Sequence, residues 1–265
     1  SAGYDFVAGK AIPFELEYFQ ANTGGNPSVA LLWSLLPSAS SDAITPAVSQ
    51  IAEADACVLV LGGANNDQSG TTEGEGVDRA SLSLPGQQLE LMQRAANASA
   101  THGVPLVVVL VDGKPTAEPS LQNLPGALLA AFQGGQAQGV GVAAVISGEY
   151  SPSGKLPICF PASADVLPCY YNHKPSASRK GWIDASLPGG NGVLWAFGHG
   201  LSFTTFNYSN LVLPKGKVPK DGTLEISVTV GNAGSVDGEE VAQLYVRDVV
   251  SSVTTPVQKL VGFQR

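Results

Sequence analysis

The chain has 265 residues, with 22 acidic against 14 basic side chains and a net charge of −8. No run of Lys or Arg stands out, which argues against nucleic acid and anionic membrane surfaces as partners. Charged residues are only 14% and hydrophobic ones 44%, against roughly 25% charged in a usual globular domain, so a well-packed soluble protein of one large or two modest domains is expected. No stretch approaches the ~18 consecutive apolar residues that span a bilayer. Residue 1 is not an initiating Met and no signal peptide follows it, so the chain is expected to begin after processing or to be a fragment.

In chain order, residues 13–37, "PFELEYFQANTGGNPSVALLWSLLP", read as two strands around a glycine-rich turn. Phe14, Leu16 and Tyr18 alternate, and Val29 to Leu36 form an apolar run. Residues 38–50 read as a polar connector into a short helix. "ACVLVLGG" (56–63) is a buried strand ending in glycine. Pro85 opens a helix with Leu89, Met92 and Ala96 on one face and Gly103 as its stop. "PLVVVLVDG" (105–113) is a second buried strand, and "LPGALLAAF" and "QAQGVGVAAVI" read as helices. Strand–helix alternation with fully apolar strands predicts a mostly parallel sheet with helices on both faces. Ligands of such sheets bind at the carboxyl edge of the strands, and the loop 62–82 leaves that edge.

From residue 151 the sequence turns Pro- and Gly-rich and irregular, up to "WAFGHGLSF" at 195–203. Beyond that it alternates. Leu224, Ile226, Val228 and Val230 share one face, and Val241, Leu244 and Val246 line much of another strand. These predict half-buried strands of a β-sandwich, with a further strand beginning in "KLVGFQR".

The chemistry-bearing stretch is "TTEGEGVDRASLSLPGQQLELM" (71–92), which groups Glu73, Glu75, Asp78 and Arg79 on glycine-rich backbone. A carboxylic acid can protonate a leaving oxygen when its surroundings keep it neutral. Cleavage of a glycosidic bond needs a second carboxyl group across that bond, about 5 Å away in retaining enzymes. The competing reading is a solvated loop with a structural Asp78–Arg79 pair. "NNDQSGTTEGE" lacks the glutamate of a calcium loop, because Gly76 stands where it is needed. "GVGVAA" (139–144) lies inside helical sequence rather than after a strand, which removes it as a dinucleotide fingerprint. No phosphate loop, nucleophile elbow or zinc pattern occurs. His102, His173 and His199 are scattered and read as structural.

Cys57 sits in an apolar run and reads as a small hydrophobe. Cys159 and Cys169, ten residues apart, could pair. Asn97-Ala98-Ser99 and Asn207-Tyr208-Ser209 are glycosylation sequons. Asn97 falls on a polar stripe with Glu90, Gln93 and Thr101. Sequons with a candidate disulfide lean toward a secreted, extracellular protein.

Several stretches, in order, resemble glycoside hydrolase family 3, the family of many β-glucosidases and β-xylosidases. "EGEGVDRASLSLPGQQLELM" looks like its acid/base loop and following helix. "AFQGGQAQGVGVAAVISGEYSPSGKLPICFP" looks like its glycine-rich helix and the turn after it. "YYNHKPSASRKGW" and "LWAFGHGLSFTTFNYSNL" are similar to its linker into the last domain. "VTVGNAGSVDGEEVAQLYVRD" and "KLVGFQR" look like its fibronectin type III-like domain. "LEYFQANTGG" and "ALLWS" resemble the closing strands of a protective-antigen-like β-domain carried by some members.

The resemblance implies residues 1–37 as a remnant of that β-domain and residues 38–165 as an α/β sandwich domain carrying the acid/base loop. Residues 166–200 become a linker, and residues 201–265 an incomplete fibronectin type III-like β-sandwich. It implies a retaining β-glycosidase without a cofactor, acting on a β-linked oligosaccharide or glycoside. Carried onto this loop, the general acid/base falls on Glu73 first and Glu75 second, with Asp78 and Arg79 anchoring the loop. The family's nucleophile is an Asp on an N-terminal (β/α) barrel, which these residues do not contain. A companion chain or segment would have to bring it, and the chain alone is expected to hydrolyse nothing. The alternative is a non-catalytic extracellular component that binds glycans or builds an assembly.

Overall fold

A computed structural model of the chain describes residues 44–63, 73, 78–174, 192–216, 218–219 and 221–265. The two strands expected in residues 13–37 lie outside the described residues. The polar connector ends in the short helix α1 (Ile44–Ser49), followed by a single 3₁₀ turn at Gln50–Glu53.

Three parallel strands form the centre of the α/β part. They are β1 (Cys57–Gly62), β2 (Leu106–Val111) and β3 (Ala127–Ala130), side by side in that order. Cys57 pairs with Leu106 and Gly62 with Val111, while Val107 pairs with Ala127 and Leu110 with Ala130. Helix α2 (Gln88–His102) joins β1 to β2. Gly103 ends it in the left-handed conformation, with φ of 69°, and returns its N–H to the Ser99 carbonyl, a geometry that costs glycine little. Met92, Ala95 and Ser99 share the helix face turned to the core. The core gathers Met92 with Leu61, Leu106, Val108, Leu110, Leu121, Phe160 and Leu194.

One sequence expectation fails here. "LPGALLAAF", expected as a helix, contains β3 instead. Leucine and alanine favour helices, but the backbone groups on the open edge of β2 need partners, and pairing with β3 supplies them. The expected helix at "QAQGVGVAAVI" does form, as α3 (Gln138–Ile146). It buries none of its residues, and Val140 is 75% exposed. On β1, Val58 and Val60 are also exposed. Alternate strand residues point to opposite faces, so among the described residues the Cys57–Leu59–Leu61 face is covered while the β1 end of the other is open.

The irregular segment after residue 151 is stitched back onto this core. Strand β4 (Phe160–Pro161) pairs antiparallel with β5 (Val193–Trp195), which places Leu194 in the core. Leu156 N–H donates to the His199 carbonyl and Gly198 N–H to the Leu156 carbonyl, each at 2.8 Å. Phe160 meets Phe132 and Trp195 edge to face, with ring centroids 6.3 and 6.0 Å apart. Cys159 is bonded to Cys169 through their sulfurs, with Cα atoms 6.3 Å apart.

The C-terminal strands form two antiparallel ribbons. One pairs β6 (Phe206–Val212) with β7 (Ser227–Asn232), the other β8 (Ala242–Val246) with β9 (Lys259–Gln264). Strands form where alternation predicts them, but Val228, Val230, Leu244 and Val246 are exposed rather than half-buried. Among the described residues the two ribbons do not pair as one sheet, and these faces stay open to solvent.

Polar and aromatic contacts tie the ribbons to the α/β part. Lys155 donates to the Gly200 carbonyl and to Glu240 Oε2, both at 3.0 Å. Tyr208 donates to the other oxygen of Glu240 at 2.9 Å. Tyr171 stacks on Phe197 at 4.2 Å and meets Tyr245 edge to face at 5.9 Å.

Partial burial, then the hydrogen bond to Glu240 and that carboxylate's charge, push the Tyr208 phenol up to about 12. The folded pKa lies above the unfolded value of about 10, so this contribution to stability is complete below pH ~10 and is lost as pH rises through ~12. In an absorbance titration at 295 nm, Tyr208→Phe should remove one of the seven tyrosines from the latest-titrating phase. An unchanged late phase would contradict the Tyr208–Glu240 bond.

Candidate functional site

The carboxyl edge of the parallel sheet is where the strands release their loops. Three segments meet there. β1 ends at Gly62, β2 runs into Asp112-Gly113-Lys114, and β3 runs into Phe132-Gln133.

The exit from β1 is fastened twice. Gly62 N–H donates to Gln88 Oε1 and Gln88 Nε2 donates back to the Gly62 carbonyl, both at 2.8 Å. Gly62 has φ of 149°, and a Cβ there would stand 1.7 Å from the Val111 carbonyl oxygen. Only glycine lets β1 lie this close to the end of β2.

Glu73 comes back to the edge two strands away. It is buried, at 9% relative exposure. Gln133 Nε2 donates to Glu73 Oε2. The same oxygen lies against Gly113, where a Cβ would stand 2.7 Å from Oε2 and 3.3 Å from Cδ. Asp78 and Arg79 are exposed, on the segment that leads to the buried Leu82 and Leu84. Glu75 lies outside the described residues. The structure thus brings Glu73 to the sheet edge and leaves Asp78 and Arg79 at the surface.

Beneath Gly113 lies a polar cluster that sequence reasoning missed. Asp112, Lys114 and Thr116 are 3%, 7% and 0% exposed. Lys114 Nζ donates to Asp112 Oδ2 at 2.8 Å, and the Thr116 hydroxyl donates to the same oxygen at 3.0 Å. Leu110, Ala130, Phe132 and Phe160 wall the cluster. The available signal was the abrupt Asp-Gly-Lys after six apolar strand residues. Gln133 was missed because it falls in the short gap between "LPGALLAAF" and "QAQGVGVAAVI", both read as helices. Among the described residues, no cluster of His, Cys, Asp and Glu is arranged to hold a metal, and no helix is long and apolar enough to cross a membrane.

Both sequons have exposed asparagines, Asn97 on α2 and Asn207 on β6, while Ser99 of the first is buried. Burial pushes the Cys57 thiol above its ordinary range, which disfavours the nucleophilic thiolate.

With this geometry in place, comparison with known proteins defines the class. The glycosyl hydrolase family 3 C-terminal domain matches residues 9–203, and a fibronectin type III-like domain matches residues 240–265. The chain belongs to glycosyl hydrolase family 3. A periplasmic β-glucosidase of Salmonella typhimurium is 35% identical over 232 residues, covering 84% of this chain and 29% of that protein. A β-xylosidase of Formosa agariphila is 38% identical over 233 residues, covering 87% and 30%. Among solved structures, the β-glucosidase of Listeria innocua in complex with gluconolactone superposes with a TM-score of 0.73 at 29% identity, covering 86% of this chain and 31% of that one. The chain spans under a third of the length of these relatives.

The Asp112–Lys114 pair sets a stability test. Removing one partner strands a buried charge, which costs about 3–5 kcal/mol, whereas replacing both with apolar residues is often close to neutral. Lys114→Ala should therefore lower unfolding free energy by about 3–5 kcal/mol in denaturant titrations. Asp112→Leu combined with Lys114→Met should recover most of that loss. A double variant as unstable as the sum of the two single ones would show that the pair is not coupled.

Proposed function

We propose that this chain supplies the general acid/base of a retaining β-glycosidase. Its substrates are terminal, non-reducing β-D-glucosyl or β-D-xylosyl residues of oligosaccharides and glycosides, the sugars named in its relatives. The observation that supports this is Glu73, buried at the carboxyl edge between Gln133 and Gly113 rather than waving in solvent. Asp78 and Arg79 hold the loop's return to α2.

The reaction needs a second carboxylate. An Asp on a (β/α) barrel, borne by a companion chain or segment, attacks the anomeric carbon while Glu73 gives its proton to the departing glycosidic oxygen. The leaving alcohol departs and a covalent glycosyl–Asp ester remains. Glu73, now a carboxylate, takes a proton from water as that water attacks the anomeric carbon and frees the Asp. For this double displacement the two carboxyl groups must stand about 5–5.5 Å apart. No step calls for a cofactor.

The same reading extends to the rest of the chain. Residues 1–37 close a protective-antigen-like β-domain, residues 38–165 form the α/β sandwich, residues 166–200 link it onward and residues 201–265 belong to the fibronectin type III-like domain. The protein is secreted. Glycans on the exposed Asn97 and Asn207, and the Cys159–Cys169 bridge, fit an oxidising compartment.

The chain alone should release no phenol from aryl β-glycosides, and activity should appear when the barrel-bearing companion is added. In that assembly Glu73→Ala should lower kcat/KM for an alkyl β-glycoside by about 10²–10⁴-fold. A dinitrophenyl β-glycoside, whose leaving group needs no proton, should keep its kcat/KM. Azide should restore turnover and yield the β-glycosyl azide. A Glu73→Ala assembly with unchanged rates on both substrates would move the role to Glu75 or elsewhere. Activity of the pure chain by itself would sink the split-site reading.

A further inference from the structure

We propose that Gln133 and Gly113 are positioning residues that dictate which oxygen of Glu73 carries the catalytic proton. The inference rests on Glu73 being the acid/base and adds which of its oxygens is reactive and what holds it there.

The argument starts from donor chemistry. A side-chain amide nitrogen has two hydrogens to give and no lone pair to receive with. Gln133 Nε2 faces Glu73 Oε2. A proton on Oε2 aimed along that line would set two donors against each other. The neutral acid therefore carries its proton on Oε1, while Oε2 accepts from the amide. After the proton has left, the same amide donates to the carboxylate, so one bond serves both halves of the cycle.

Gly113 makes that bond reachable. It stands between the paired Asp112 and Lys114, so its backbone is held from both sides. A Cβ on it would come within 2.7 Å of Oε2 and 3.5 Å of Gln133 Nε2, closer than carbon tolerates at the first atom. The methyl would push the carboxyl group off its donor. Gly113 and Gln133 each sit three residues beyond Leu110 and Ala130, the last paired positions of β2 and β3, so the sheet sets their separation.

Two measurements test this. In the ¹⁵N-labelled chain of residues 1–265, the Gln133 side-chain amide is assigned by its loss in Gln133→Ala. Its protons should exchange with water about tenfold more slowly than those of exposed glutamines. Glu73→Ala and Gly113→Ala should each abolish that protection. Protection that survives Glu73→Ala, or none in the parent chain, overturns the contact. Because Gln133 is exposed, its truncation should leave the fold intact, and a circular dichroism melt checks this for both variants.

The second measurement uses the assembly with the barrel-bearing companion. Gln133→Ala and Gly113→Ala should each lower kcat/KM for an alkyl β-glycoside by about 10–100-fold, the scale of a roughly 1 Å misplacement. The dinitrophenyl glycoside should be nearly unaffected. Equal losses on both substrates, or none, overturn the positioning role while Glu73→Ala still shows its leaving-group signature. If Glu73→Ala itself lacks that signature, the acid/base reading fails first and the positioning inference falls with it.

Discussion

The parallel pairing of β2 with β1 on one side and β3 on the other is the constraint on which the site depends. Parallel strands run out of the sheet on one edge, so their three following segments are delivered to one place without any contact between them being required first. The Gly62 turn, the Asp112-Gly113-Lys114 turn and Phe132-Gln133 are neighbours for that reason alone. Glu73 then crosses from the β1 exit to the far side of β2, where the backbone of Gly113 and the amide of Gln133 receive it.

The chain is poor in charge, and its use of buried charge is local. Asp112, Lys114 and Glu73 are the buried ionisable side chains among the described residues, and all three lie at the sheet's carboxyl edge. Burying such groups is costly unless they are bonded. Lys114 and Thr116 both donate to Asp112, which offsets that cost and stiffens the turn. The backbone between the pair is therefore a fixed wall for the Glu73 carboxyl group rather than a free loop. Hydrophobic burial stabilises the sheet, and this polar cluster gives its edge a defined shape.

A second set of polar contacts joins the ribbons to the α/β part. Lys155 and Glu240 are each about one-sixth exposed and bridge the two, and Tyr208 caps the remaining oxygen of Glu240. The Tyr171–Phe197–Tyr245 stack lies alongside. Directional contacts of this kind fix orientation at modest net energy. The open faces of the ribbons, by contrast, contribute little burial to hold them in place.

Local sequence determined a good deal of this protein by itself. The fully apolar runs of β1 and β2, the Met92 face of α2 and the Gly103 stop follow from periodicity and backbone sterics, which act over a few residues. The order of the motifs was enough to place the chain in its family, and only that resemblance, carried onto the acidic loop, put the acid/base on Glu73 first and Glu75 second, since the loop's composition alone fits a solvated loop equally well. Tertiary structure decided the rest. Ala127–Ala130 became a strand because β2 had an unpaired edge, which no local pattern records. Gln133, Gly113 and the Asp112–Lys114–Thr116 cluster became neighbours of Glu73 only through strand pairing across sixty residues of chain. The half-buried ribbons expected from alternation stayed exposed because alternation states which side chains share a face, not whether another surface will cover it.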